Sequence, residues 1–145
     1  MENLVIITPT LFDKGALIDA EIYQSERSFL KEKNQEPGRI TRVKMLIDTG
    51  ANISGLDRGL IDRLQLAHYS EKTFVDGAGG LTSLNRYRCV LYLDIFKQKA
   101  LPLDILEGHF ENSPYDGIIG RDVLRFCNMH YDGPSNCFRL SAPDF

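Results

Sequence analysis

MLIDTGANIS, residues 45–54, sets an acid at the end of an apolar run, with Leu46 and Ile47 before Asp48 and Thr49 and Gly50 directly after it. Apolar residues at Val43, Met45 and Ile47 recur at the period of a strand, which predicts a strand over residues 39–47 that ends in a turn at Asp48. Leu-Ile-Asp by itself says little, because it recurs at Leu17-Ile18-Asp19 and at Leu60-Ile61-Asp62. Asp-Thr-Gly turns up by chance in about one chain in thirty of this length at ordinary residue usage. Its meaning depends on what accompanies it.

The 145 residues are 43% hydrophobic, enough for one globular domain with its own core. A net charge of -3, with lysines and arginines interleaved among acids as in ERSFLKEKNQE, leaves no basic face and disfavours nucleic acid as a partner. Cys89, Cys127 and Cys137 are odd in number and contain no Cys-x-x-Cys, so they read as reduced structural thiols. His68, His109 and His130 lack metal-ligand spacing, so neither a metal nor another cofactor is expected. The apolar run LVIIT is too short for a signal-peptide core, and no stretch approaches a membrane span. A cytoplasmic protein without a membrane partner is expected.

Residues 4–8 and 16–23 are predicted to form a hairpin turning at Asp13-Lys14-Gly15, followed by a polar segment, 24–38, that reads as a solvated helix or a surface excursion. Leu56, Leu60, Ile61 and Leu64 predict a short helix capped by Asp57. Residues 72–76 and 81–88 bracket a glycine-rich hairpin tip at Asp76-Gly77-Ala78-Gly79-Gly80. CVLYLDIF and ALPLDIL read as further strands, RDVLRF as a helical turn, and MHYDG with CFRLS as two strands joined at Asp132-Gly133-Pro134. Many short strands and one or two short helices predict an all-β, closed, barrel-like architecture.

The company that Asp48 needs comes at YDGIIGRDVL, where Ile118 and Ile119 lead into Gly120, Arg121 and Asp122. Taken in order, LIDTGANIS, the glycine-rich hairpin and GIIGRD resemble the retropepsins, the single-domain aspartic proteases of retroviral type. The resemblance runs from about residue 39 to the end. It implies a retropepsin-like domain over 39–145 and an N-terminal extension over 1–38 that serves as a dimer strand, a specificity element or a removable propeptide.

Peptide hydrolysis without a metal or a covalent intermediate needs a base to activate water and an acid to protonate the substrate. Two carboxylates a hydrogen bond apart fill both roles, because like charges that close cannot both ionise and so share one proton. The chain holds a single Asp-Thr-Gly and no Asp-Ser-Gly. The resemblance therefore implies an endopeptidase that is a two-fold homodimer, with one Asp48 from each subunit and a peptide or protein as substrate.

It also assigns roles. Thr49 braces the paired loops across the axis, Gly50 lets backbone approach closely, and Ala51 and Asn52 line the substrate-backbone groove. Ile118, Ile119 and Gly120 pack beneath the catalytic loop, and Asp76, Gly77, Ala78, Gly79 and Gly80 form the flap that closes over a bound peptide. Many retroviral enzymes have an acid at the position of Asn52 that pairs with the equivalent of Arg121. Arg121 is thus expected to bond the Asn52 amide or another carboxylate. The flap tip also lacks the β-branched residue typical of those enzymes. The alternative reading is a retropepsin-fold dimerisation or peptide-binding module with weak or no catalysis.

Overall fold

In the computed structural model, residues 5–32, 41–77 and 80–144 are described. Ten strands carry the architecture: β1 Val5–Thr8, β2 Leu17–Tyr23, β3 Thr41–Ile47, β4 Gly55–Asp57, β5 Ala67–Gly77, β6 Gly80–Tyr92, β7 Leu101–Gly108, β8 Gly117–Ile119, β9 Asn128–Asp132 and β10 Cys137–Ser141. Four short helices, α1 Leu11–Lys14, α2 Glu26–Glu32, α3 Arg58–Leu64 and α4 Arg121–Leu124, and a 3-10 turn at Asp94–Phe96 connect them. None of the described helices is long and apolar enough to cross a membrane.

Seven strands pair in the order β2-β3-β8-β4-β7-β6-β5, and β6 also pairs with β2 through Glu21–Tyr92, Ile22–Leu91 and Tyr23–Val90. That last pairing returns the sheet on itself, so six strands form a closed ring and β5 hangs from its outside. Alternation explains the ring's interior. Ile18, Ala20 and Ile22 of β2 and Val43 and Met45 of β3 are buried, while Asp19, Arg42 and Lys44 between them face water. Leu91, Ile105, Ile119 and Val123 complete a single large core. A second sheet, β1-β10-β9, lies beside the ring and contributes Phe138 and Leu140 to the same core. Helix α2 seats Phe29 in a satellite cluster, edge-on to Tyr23 at 5.2 Å and near Tyr92 at 5.1 Å.

The capped helix and the terminal hairpin are as expected: the Asp57 carboxylate accepts from Gly59 N–H at 3.1 Å, and β9 pairs with β10 around the Asp132 turn. A further bond from Phe110 N–H to Asp57, at 2.8 Å, is the chief reason its carboxyl sits below the usual carboxylate range. The three cysteines are free, and burial pushes the Cys89 thiol up to about 12 and that of Cys127 to about 11.

The N-terminal hairpin is a correction. β1 pairs antiparallel with β10, Val5 opposite Ser141 and Thr8 opposite Phe138, and not with β2. Pro9 ends β1, and residues 11–14 coil into helix α1, which buries Leu11 and turns out through Gly15 at φ +73°. The chain is carried away before a hairpin can close. A single side-chain bond, Thr8 Oγ1 to the Leu17 carbonyl at 2.7 Å, ties the ends of that excursion. Two further departures are local: CVLYLDIF leaves the strand at Tyr92 for the 3-10 turn, and Leu56 belongs to the short strand β4.

β4 and β8 cross where there is no room for a side chain. A Cβ on Gly117 would lie 2.2 Å from the Gly55 carbonyl oxygen and 3.1 Å from Met45 Cε. Backbone cannot yield there as a flexible side chain would. Gly117→Ala is expected to cost about 3 kcal/mol in urea unfolding. A loss below about 0.5 kcal/mol would mean that β4 and β8 are not held as tightly as this register requires.

Candidate active site

Asp48 follows β3 without a spacer. Its N–H donates to the Ile119 carbonyl at 2.9 Å and its own carbonyl accepts from Ala51 N–H at 3.2 Å, so the residue is pinned to β8 on one side and to its own turn on the other. The carboxylate is half-buried. Oδ1 accepts from Gly50 N–H at 2.9 Å, and a Cβ on Gly50 would sit 3.2 Å from that oxygen. The loop thus presents an acid whose one oxygen is fixed by backbone. Thr49 and Gly50 are exposed at its tip, and Ala51 and Asn52 continue it.

Beneath the loop the chain crosses itself at Gly120. A Cβ there would meet the Ala51 carbonyl oxygen at 2.8 Å and Ile53 backbone at 3.0 Å, so only glycine fits. Ile119 is fully buried under the loop and Ile118 half-buried, paired with Leu46 of β3 and Gly55 of β4. Arg121 N–H donates to the Ala51 carbonyl at 2.8 Å, adding a direct tie from α4 to the loop.

The Arg121 side chain is a second correction. It bonds neither Asn52 nor a carboxylate; Nη1 donates to the Thr49 carbonyl at 2.8 Å, and among the described residues it forms no ion pair. The amide of Asn52 points to water, so a backbone carbonyl within reach is the better acceptor. The effect is to fasten the exposed tip of the loop to the start of α4.

A buried network completes the lock. Ser54, with no exposed surface, donates from Oγ to Asp122 Oδ1 at 2.7 Å and from N–H to Oδ2 at 3.0 Å. The same hydroxyl accepts from Gly120 N–H at 2.9 Å, and Val123 N–H donates to Asp122 Oδ1 at 3.0 Å. Sequence reading placed Ser54 within the motif without a role and took Asp122 only as a helix start. A hydroxyl six residues past the acid and a carboxylate two past the glycine are too far apart in sequence to announce each other.

The predicted flap is a hairpin whose strands pair to the tip, Asp76 opposite Leu81 and Gly77 opposite Gly80, with Gly80 at φ +95°. Ala78 and Gly79 lie outside the described residues.

The model for the aspartyl protease family matches residues 36–123, from ahead of β3 through the Asp48 loop, the hairpin and most of α4. The chain belongs to the aspartyl protease family. The solved structures place it among the retropepsin-like folds of that family. A retropepsin-like aspartic protease from Rickettsia conorii is similar with a TM-score of 0.56 and 14% identity, over 94% of this chain and 89% of that one. The EIAV protease, solved with the inhibitor HBY-793, is similar with a TM-score of 0.53 and 22% identity, over 79% of this chain and 88% of that one. A search of curated proteins gives no match.

The Ser54–Asp122 lock gives this aspartyl protease a testable weak point. In Asp122→Asn, an NH2 replaces one acceptor oxygen: at Oδ2 it faces Ser54 N–H, and at Oδ1 it faces Val123 N–H. The first orientation leaves the buried Ser54 N–H without its acceptor; in the second Val123 N–H keeps the Gly120 carbonyl at 3.2 Å but the Ser54 hydroxyl loses the oxygen it donates to, and the expected loss is about 1–3 kcal/mol by urea unfolding. A variant as stable as the parent would show that the network does not hold the loop.

Proposed function

We propose that the protein is an aspartic endopeptidase whose active unit is a two-fold homodimer, with Asp48 of each subunit meeting across the axis. The observation that carries this reading is the Asp48 loop itself. It holds a half-exposed carboxylate by the Gly50 N–H and is fixed from below at Gly120, Arg121 and Ser54. A rigid acid at a loop tip suits a reaction whose two carboxylates must keep a fixed spacing.

In the pair, one carboxylate is ionised and the other keeps the shared proton. The ionised group takes a proton from a water molecule while the resulting hydroxide attacks the scissile carbonyl carbon, and the protonated group gives its proton to the carbonyl oxygen. The tetrahedral diol then breaks its C–N bond as the carboxyl that took the water proton gives it to the nitrogen and a diol hydroxyl gives its proton to the other carboxylate, releasing an acid and an amine and restoring the pair. The reaction needs one carboxylate in each form, a base and an acid. The β5–β6 hairpin serves as the flap over an extended peptide, excluding water and offering backbone N–H groups, while Ala51 and Asn52 contact the peptide backbone.

Purified protein is expected to cleave unfolded peptides at mildly acidic pH, to be blocked by a hydroxyl-bearing transition-state mimic, and to lose about 10²–10⁴-fold or more in rate on Asp48→Asn. Equal rates for parent and variant would sink the proposal. Peptide binding by the parent without turnover would support the alternative, a peptide-binding module on the same fold.

A further inference from the structure

The β5–β6 hairpin leaves the ring at one level of the sheet. β6 pairs with β7 from Leu91 opposite Leu101 to Arg86 opposite Leu106, and among the described residues no third strand pairs with it beyond Arg86. From residue 85 to the tip it has only β5 for a partner, and a two-stranded hairpin is marginally stable alone. At that same level β5 is irregular. Tyr69 stands opposite Arg86 and Thr73 opposite Leu84, so residues 70–72 face the single residue Asn85. The regular ladder is thus interrupted on both sides of Asn85, and a side chain bridges the interruption. Asn85 N–H donates to Glu107 Oε1 at 3.0 Å, while Oε2 of the same carboxylate accepts from Arg58 Nη1 at 2.7 Å. The Glu107 side chain is only 15% exposed, so water competes little for either oxygen.

We propose that Glu107 is a positioning residue, the hinge of the β5–β6 arm, and that its bond to Asn85 sets where the arm sits relative to the Asp48 loop. The inference rests on the proteolytic reading for what the arm covers. Two connections give the carboxylate this part. First, β7 is tied to the end of the Asp48 loop one residue earlier. Leu106 N–H donates to the Ser54 carbonyl at 2.9 Å, and Ser54 is the buried hydroxyl locked to Asp122. Second, Arg58 holds the other carboxylate oxygen from the first residue of α3, directly after β4, whose Leu56 pairs with Glu107. Arg58 is itself held in place, by Asp62 one turn on at 3.3 Å and with its guanidinium 5.9 Å from the centre of the Tyr87 ring. The Asp48 loop and the arm therefore take their positions from two consecutive residues of β7. Cutting the bond at Asn85 leaves the ring, the core and the Ser54–Asp122 lock bonded as before and frees the arm from residue 85 outward.

The test uses the full chain. In Glu107→Ala, where Arg58 keeps Asp62, amide hydrogen exchange at residues 73–76 and 81–84 is expected to quicken at least about tenfold, with the amides of β2 and β3 unchanged. For a peptide that the parent cleaves, an arm that spends less time in place raises KM about three- to tenfold and leaves kcat within about twofold, because bound peptide holds the arm once it is closed. A merely structural role gives the reverse, a lower kcat from a smaller folded fraction at an unchanged KM. Glu107→Gln keeps an oxygen for the Asn85 N–H and gives up the ion pair, and it is expected to return KM and exchange to within about twofold of the parent. Hairpin exchange unmoved by Glu107→Ala, a fall in kcat at constant KM, or Glu107→Gln as loose as Glu107→Ala would overturn the hinge. A parent that cleaves no peptide sinks the proteolytic reading instead, and the exchange measurement still decides the hinge.

Discussion

Gly120 passes under Ala51 and Ile53 at a distance that leaves no room for a Cβ, and every other feature of the site is arranged around that crossing. The loop needs to place a charged group partly in water, which normally means a mobile segment. Here the mobility is removed from below. Ile119 fills the core under the loop, the Asp48 N–H is tied to the Ile119 carbonyl, and Ser54 and Asp122 close the far end with buried hydrogen bonds. Each of these bonds contributes only about 1 kcal/mol net. Together they convert a tip that would sample many states into one geometry.

The closed ring is what makes such a lock affordable in a chain of this size. β8 is only three residues long, yet it pairs with β3 in parallel and β4 in antiparallel and so joins the two ends of the Asp48 loop. β3 delivers Asp48 and β4 receives the chain after Ser54, so the loop is a short bridge between the two staves that flank β8. Moving either stave means breaking the ring, which shares one core.

Local pattern made much of this legible. The strand into Asp48, the capped helix at Asp57, the glycine-rich hairpin and the apolar pair before Gly120 each write their structure in consecutive residues. What did not show was pairing at a distance. β1 has the composition of a hairpin partner for β2, and only the helical turn at 11–14 and the free edge of β10 decide that it goes elsewhere. The Ser54–Asp122 bond joins residues 68 apart in the chain, and Arg121 found a backbone carbonyl, an acceptor that no side-chain pattern can signal. Strand β4 escaped because three residues are too few to show a period.

The ring, the core and the locked loop are formed within one chain, and that chain carries a single Asp-Thr-Gly. On the inner face of the small sheet Phe138 and Leu140 close the core, and further out Met129 and Tyr131 are left with nothing of their own to cover. Natural edge strands are usually blunted by charge or proline, because an open edge with apolar side chains invites association. β9 has neither a lysine nor a proline, and its one acid stands at its end, at Asp132. β9 is thus an open edge with exposed apolar side chains in a fold that otherwise closes its strands into a ring.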